Sequence, residues 1–147
     1  MTPTDQLIDE ASALAGASLA WLGPDAATPL WDLIAARAAG LIGEASSADD
    51  RIAAEAARLI VAACHGQADP PIDWWTTPLG RLVAVQFGTD TQRVTQSVAA
   101  AMLGVDRGTV AQMMRRGGRH ALEAHPDGGI VRGSVFREIA RRSGGAA

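Results

Sequence analysis

Arginine and glutamine crowd one short stretch of this chain. Arg107, Gln112, Arg115, Arg116 and Arg119 fall within residues 107–119. A guanidinium is a rigid planar fork of N–H donors that matches a phosphate or the O6/N7 edge of guanine. A glutamine carboxamide matches the N6/N7 edge of adenine in the same bidentate way. The hydroxyls of Thr95 and Thr109, and the charges of Arg93 and Arg132, add groups that hold a phosphate without reading sequence. This is the chemistry of non-covalent recognition of a polyanion. The competing interpretation is that the arginines are ordinary solvated surface charges.

The elements that must position these side chains lie in residues 94–117. Thr95 is a good N-cap, and apolar residues follow at Val98, Ala99, Met102 and Leu103. Gly104 stops this helix, because glycine enters the left-handed region without steric cost. Val105 can plug the junction. Asp106 caps a second helix whose buried face is Val110, Met113 and Met114, and Gly117-Gly118 ends it. Ala100, Gly104 and Val110 have the spacing of a helix-turn-helix: a small residue at the crossing, a glycine in the turn and a branched residue in the second helix. Arg107, Gln112, Arg115 and Arg116 then face outward, with Thr109 partly so.

Charge supports a division of labour. The 147 residues carry a net charge of −3. Residues 1–90 hold 12 acids and 4 arginines, and residues 91–147 hold 4 acids and 9 arginines. A basic C-terminal part meets an anionic partner, and the acidic part stays off it. All 13 basic residues are arginine. At 48% hydrophobic and 20% charged residues, the chain is expected to fold with a real core. No apolar run approaches the ~20 residues of a membrane span, and no signal peptide is evident, so the expected location is the cytoplasm. Cys64 is the only cysteine and belongs on a helix's buried side; with three histidines and no cysteine pair, no metal site is expected.

Taken in order, residues 4–22 predict a helix, interrupted at Gly16 and broken at Gly23-Pro24-Asp25. Thr28-Pro29 opens a second helix with Leu30, Leu33, Ile34, Ala38, Leu41 and Ile42 inward, exiting at Gly43. Ser47 or Asp49 caps a third helix, about 49–65, with Ile52, Ala56, Leu59, Ile60 and Ala63 inward and Gly66 as terminator. Trp21 and Trp31 read as core or dimer-interface residues. Residues 66–73 form a connector stiffened by Pro70-Pro71, which divides a helical domain, 1–68, from a second domain, 74–143. Trp74 and Trp75 are expected to anchor the two halves to each other, the alternatives being a partner surface or a base-stacking platform. Thr77-Pro78 starts a fourth helix with Leu79, Leu82, Val83 and Phe87 inward, closed by Gly88.

Beyond the helix pair, Pro126-Asp127-Gly128-Gly129 is a strong turn signal flanked by short alternating runs, which predicts a small β-hairpin. Ser134 is expected to cap a last helix, 135–142, with Val135, Phe136 and Ile139 inward and Arg137, Arg141 and Arg142 solvated. The fold class expected is mainly α: a helical N-terminal bundle followed by a winged helix-turn-helix with a small β-hairpin.

Residues 94–142 resemble the winged helix-turn-helix modules of the excisionase and MerR-like families. The resemblance runs through Thr95, Ala99-Ala100, Met102-Leu103-Gly104-Val105, Asp106, Thr109-Val110, Arg116-Gly117, the turn at 126–129 and Arg132-Gly133-Ser134-Val135. It implies double-stranded DNA binding, with 107–116 in the major groove and the wing on the adjacent backbone or minor groove. Two departures matter. The helix after the wing is too short for a MerR-type coiled coil, and no effector domain follows, so neither a small-molecule effector nor a cofactor is expected.

The function expected is that of a sequence-specific double-stranded DNA-binding regulator of bacterial or phage type, acting as a repressor and as a dimer through its N-terminal helices. Arg93, Arg119 and Arg132 would hold phosphates, as would the amides at the Asp106 helix start. Alternatives are an architectural or recombination-directionality factor, or a helical protein-interaction module. No nucleophile–base pair, phosphate-cradling loop or paired-carboxylate motif points to an enzyme. His120 and His125 flank the wing and are expected to meet backbone or solvent.

Overall fold

The computed structural model describes residues 3–16, 24–116 and 122–144. They form two compact units, Met1–Pro70 and Pro71–Ala147. The chain is mainly helical with one small two-stranded antiparallel sheet. Among the described residues no helix is long and apolar enough to cross a membrane.

The first unit packs three helices on one another: α1 (Pro3–Gly16), α2 (Pro24–Ala45) and α3 (Asp50–His65). The expected continuation of α1 to residue 22, with Trp21, lies outside the described residues, as does the side chain of Trp31. α2 starts earlier than Thr28-Pro29. Pro24 is its first residue, where a missing N–H costs nothing and a fixed φ suits a helix. It also runs past Gly43 to Ala45, since an interior glycine costs only ~1 kcal/mol relative to alanine.

In α3 the N-cap is Asp49, whose Oδ1 accepts the amides of Arg51 at 2.9 Å and Ile52 at 3.4 Å. Gly66 ends it at φ 63°. The buried face of α3 is Ala53, Ala56, Ala57 and Ile60. Ile52 and Leu59, expected inward, are 46% and 40% exposed, and Ala63 is exposed as well. Alanines let helix backbones approach closely, so the contact follows the small residues and leaves the bulkier pair on the flank. Leu33 of α2, also expected inward, is exposed.

The second unit begins with a 3₁₀ turn, Ile72–Thr76, that carries Trp74 and Trp75. α4 (Pro78–Ala84) follows, with Thr77 as its N-cap and a 3₁₀ turn, Val85–Phe87, after it. Then come β1 (Arg93–Val94), α5 (Gln96–Leu103), α6 (Arg107–Arg116), β2 (Ile130–Val131) and α7 (Arg132–Gly144). The tryptophans are core residues of this unit. Both are buried, and Trp75 stands edge-on to Phe136 at 4.6 Å and to Phe87 at 5.7 Å. Such pairs contribute ~0.5–1.5 kcal/mol each beyond their buried area. Leu79, Val83, Val110, Ile130 and Val135 complete the core around them.

The sheet pairs strands from either side of the α5–α6 pair. Arg93 lies opposite Val131 and Val94 opposite Ile130. The predicted turn exists: Gly128 and Gly129 have φ 89° and 79°, and Gly128 N–H donates to His125 O at 3.0 Å. Across the turn the hairpin contributes a single bridge, Ala124–Ile130. The regular partner of β2 is β1, a strand that the sequence did not predict.

α7 also begins earlier than expected, and Ser134 is not its cap. The amides of Arg132 and Gly133 donate to Gln92 O at 2.7 Å and Asp90 O at 2.8 Å, so the 88–92 loop receives the free donors of the helix end. Ser134 is buried; its Oγ donates to Val131 O at 2.6 Å and accepts the Glu123 amide at 3.0 Å. The loop is fixed from α7's side chains too. Arg132 donates Nε and Nη2 to Asp90 Oδ2, at 2.9 and 2.6 Å, while Asp90 Oδ1 accepts the Gln92 amide at 2.7 Å. Arg137 Nη1 donates to Gly88 O.

Gly133 is where backbone meets backbone: a Cβ there would lie 2.5 Å from Asp90 O and 2.6 Å from Gly88 O. Asp90 O accepts the Gly133 amide and Gly88 O accepts Arg137 Nη1, so a shift of either atom breaks a bond that seats α7. Gly133→Ala should therefore destabilise the C-terminal unit by ~1–3 kcal/mol through overpacking, measured as a lower midpoint in urea. An unchanged midpoint would mean that α7 is not seated on the 88–92 loop.

Candidate nucleic-acid interface

Local chemistry builds the α5–α6 pair largely as its residues predict. Thr95 Oγ1 accepts the Val98 amide at 3.2 Å. Gly104 ends α5 in the left-handed region, φ 69° and ψ 33°. The following amide, of Val105, returns to Ala100 O at 3.0 Å, which closes the helix end. Asp106 Oδ1 then accepts the Thr109 amide at 2.7 Å and starts α6. Ala100 and Val110 are buried where the two helices meet, and Met113 is buried one turn on.

At about 3.6 residues per turn, the face of α6 opposite Val110 and Met113 is centred on Gly108, Gln112 and Arg115, with Ala111 beside them. Arg107 and Arg116 fall on opposite flanks of that face. Arg107, Gln112, Arg115 and Arg116 are all exposed, and Thr109 is half-buried on a flank. None of the three arginine side chains of α6 forms an ion pair or hydrogen bond among the described residues. The small residues Gly108 and Ala111 leave the centre of the face low, with Gln112 and Arg115 standing above it.

The other expected contacts divide. Arg93 is exposed on β1 and donates Nη1 to Asp127 O at 2.9 Å, which ties β1 to the wing turn and leaves its other N–H groups available. Thr95 is exposed, and its hydroxyl proton is free to donate while the oxygen caps the helix. Arg119 and His120 lie outside the described residues. Arg132 is spent on Asp90, stands 5.5 Å over the Phe136 ring, and is only 23% exposed, so it holds the wing's base rather than facing outward. The Asp106 carboxylate itself occupies the start of α6, so those amides are not an open phosphate seat.

Arg137, Arg141 and Arg142, expected to be solvated, are instead paired. Arg137 reaches Glu123 at 3.2 Å, and Arg141 and Arg142 share Glu138 at 2.5 and 3.0 Å. Glu138 is buried. Burial pushes its carboxyl up, but the hydrogen bonds and charges of the two arginines outweigh that and hold it below the usual range. His125 meets backbone as expected, its Nδ1 accepting the Asp127 amide at 3.1 Å. Residue types alone could not separate these arginines from those of α6. The one local signal was Glu138 standing three and four residues before Arg141 and Arg142, the spacing of helix ion pairs.

Compared with known proteins, the chain matches no family model, no curated protein and no solved structure.

Hydrogen bonding from the Thr109 amide and hydroxyl holds the Asp106 carboxyl below its ordinary value. A carboxyl depressed in the folded state contributes stability that is full above its unfolded pKa, about 3.9. That contribution is lost as pH falls through the lower folded value. Asp106→Asn keeps an N-cap that does not titrate. Its stability should fall less steeply than the wild type's as pH drops below about 4, in thermal melts across that range. Parallel curves would show that Asp106 does not cap α6.

Proposed function

We propose that the C-terminal unit binds double-stranded DNA with α6 in the major groove, and that the chain is a sequence-specific transcriptional regulator. The observation that carries this is a contrast in pairing. The four arginines of α7 are all held by carboxylates or a backbone carbonyl, whereas the three arginines of α6 are exposed and unpaired among the described residues. Three of the charges that the fold does not use lie on this one helix, with Arg81 of α4 the other exposed arginine of the unit that has no side-chain partner among the described residues. That helix is the second of a helix–turn–helix pair, and β1, β2 and the 125–129 turn stand beside it in chain order as a wing would.

In this reading Gln112 and Arg115, at the centre of the face, meet base edges. Arg107 and Arg116, on its flanks, meet the phosphates of the two groove walls, and Arg93 and Thr95 add backbone contacts. Replacing Arg115 or Gln112 with Ala should relax the preference for the cognate site by ~1–3 kcal/mol while sparing affinity for random DNA. Arg107→Ala should weaken binding to both alike. Gel-shift titrations on a selected site and a scrambled one make the comparison. Equal specificity in Arg115→Ala and the wild type would remove α6 from base reading.

A regulator of this size reads a longer site by pairing two copies. The flank of α3 offers the surface. Ile52 and Leu59 are exposed two turns apart on one side. Exposed charges of both signs, Asp50, Arg51 and the paired Glu55 and Arg58, border that flank, and a two-fold pair sets the same patch of each copy on the other. In Ile52→Glu/Leu59→Glu, light scattering should give a monomer where the wild type gives a dimer. A dimer that survives both changes would place the contact elsewhere.

A further inference from the structure

A cavity of about 140 Å³ lies among the three helices of the N-terminal unit. Ala11 of α1, Ile34, Ala38 and Leu41 of α2, and Ile60 and Cys64 of α3 form its wall, which is almost wholly apolar. The sequence explains why the space exists. These helices pack through buried alanines, Ala11 and Ala38 among them. A methyl group lets two backbones approach but does not fill the space between three, and interiors leave few voids of this size.

Two further residues line the cavity, Ala63 and Arg37, and both are exposed, so it opens to solvent on their side. The Arg37 guanidinium lies 4.0 Å from Glu44, which is not part of the wall, so Arg37 lends the cavity its aliphatic stem. Burial, and then the charge of Glu10, push the Cys64 thiol up to about 11, so this part of the wall is neutral at physiological pH. A water molecule needs two to four polar partners in such a space, and this wall does not supply them among the described residues.

We propose that this cavity binds a small, neutral, apolar molecule, an aromatic ring of about benzene's size. Apolar cavities of about 150 Å³ take benzene or xenon for the same reason: the ligand regains dispersion contacts that the wall otherwise lacks. The Cys64 sulfur is polarisable and favours an aromatic ring over an aliphatic body. A charged or strongly polar molecule of the same size is rejected, because its polar groups lose water and gain no partner. The ligand touches all three helices at once and binds only where they are assembled, so it stabilises the folded N-terminal unit. The site includes no residue of α6 and stands or falls independently of DNA binding.

The test uses the full chain, with benzene and pyrazine as probes. Pyrazine is a ring of the same size with two nitrogen acceptors. Thermal unfolding and calorimetry are run on the wild type, on Ala38→Leu, which fills the cavity from its buried wall, and on Ala63→Leu. Ala63 is exposed at the rim and leucine is a good helix former, so this second variant keeps the fold. Benzene should bind the wild type and raise its melting temperature. Pyrazine should bind about tenfold more weakly, since its nitrogens are buried without donors. Each folded leucine variant should weaken benzene about tenfold or more by occupying its space. No benzene binding to the wild type, pyrazine binding as tightly as benzene, or undiminished binding in the folded variants would each overturn the proposal.

Discussion

The ion pair between Asp90 and Arg132 is the contact on which the C-terminal unit depends. Asp90 sits in a loop before the α5–α6 pair, and Arg132 sits after it, at the start of α7. Joining them closes a long stretch of chain, and the backbone bonds from Arg132 and Gly133 to Gln92 and Asp90 lock the closure. Both side chains are mostly buried, so removing either would strand a charge, which costs far more than an exposed pair contributes. The two-residue strands β1 and β2 could not hold the wing by themselves. They are in register because Arg132, directly after β2, is fixed to the loop that precedes β1.

That closure has a consequence for charge. The arginines of α7 are drawn into holding the fold: Arg132 on Asp90, Arg137 on Gly88 and Glu123, and Arg141 and Arg142 on Glu138. Basic groups at the unit's surface are thereby sorted into those that build the scaffold and those that remain outward, three on α6 together with Arg81 on α4 and Arg93 on β1. A helix whose inner face is fixed by Val110 and Met113, and whose start is fixed by Asp106, presents its outer side chains from a rigid base. Rigid presentation is what a bidentate contact to a base edge requires.

Much of this was legible in the sequence, and the boundary follows the range of each interaction. The caps at Asp49, Thr77, Thr95 and Asp106, and the stops at Gly66 and Gly104, act over three or four residues, so local pattern reveals them. The outward set on α6 follows from helical period once its buried face is known. The clamp between Asp90 and Arg132 spans 42 positions and leaves no trace in local spacing. β1 escaped for a related reason: two residues cannot show an alternating pattern, and its strand character comes only from pairing with β2. In α3, choosing the largest apolar side chains for the core misplaced Ile52 and Leu59. Close packing of Ala53, Ala56 and Ala57 decided the orientation there.

The unpaired arginine face makes one demand that a merely solvated surface does not. Each guanidinium that replaces a counterion on a phosphate gives the affinity a dependence on salt, with a logarithmic slope of about −0.9 per contact on duplex DNA. The most direct measurement is fluorescence anisotropy of the full chain on a mixed-sequence duplex, from low to near-physiological salt. Phosphate contacts by Arg93, Arg107 and Arg116 predict measurable binding at low salt and a slope of about −3 for each chain bound. No binding at low salt, or an affinity that salt does not change, would contradict a DNA-binding role for α6.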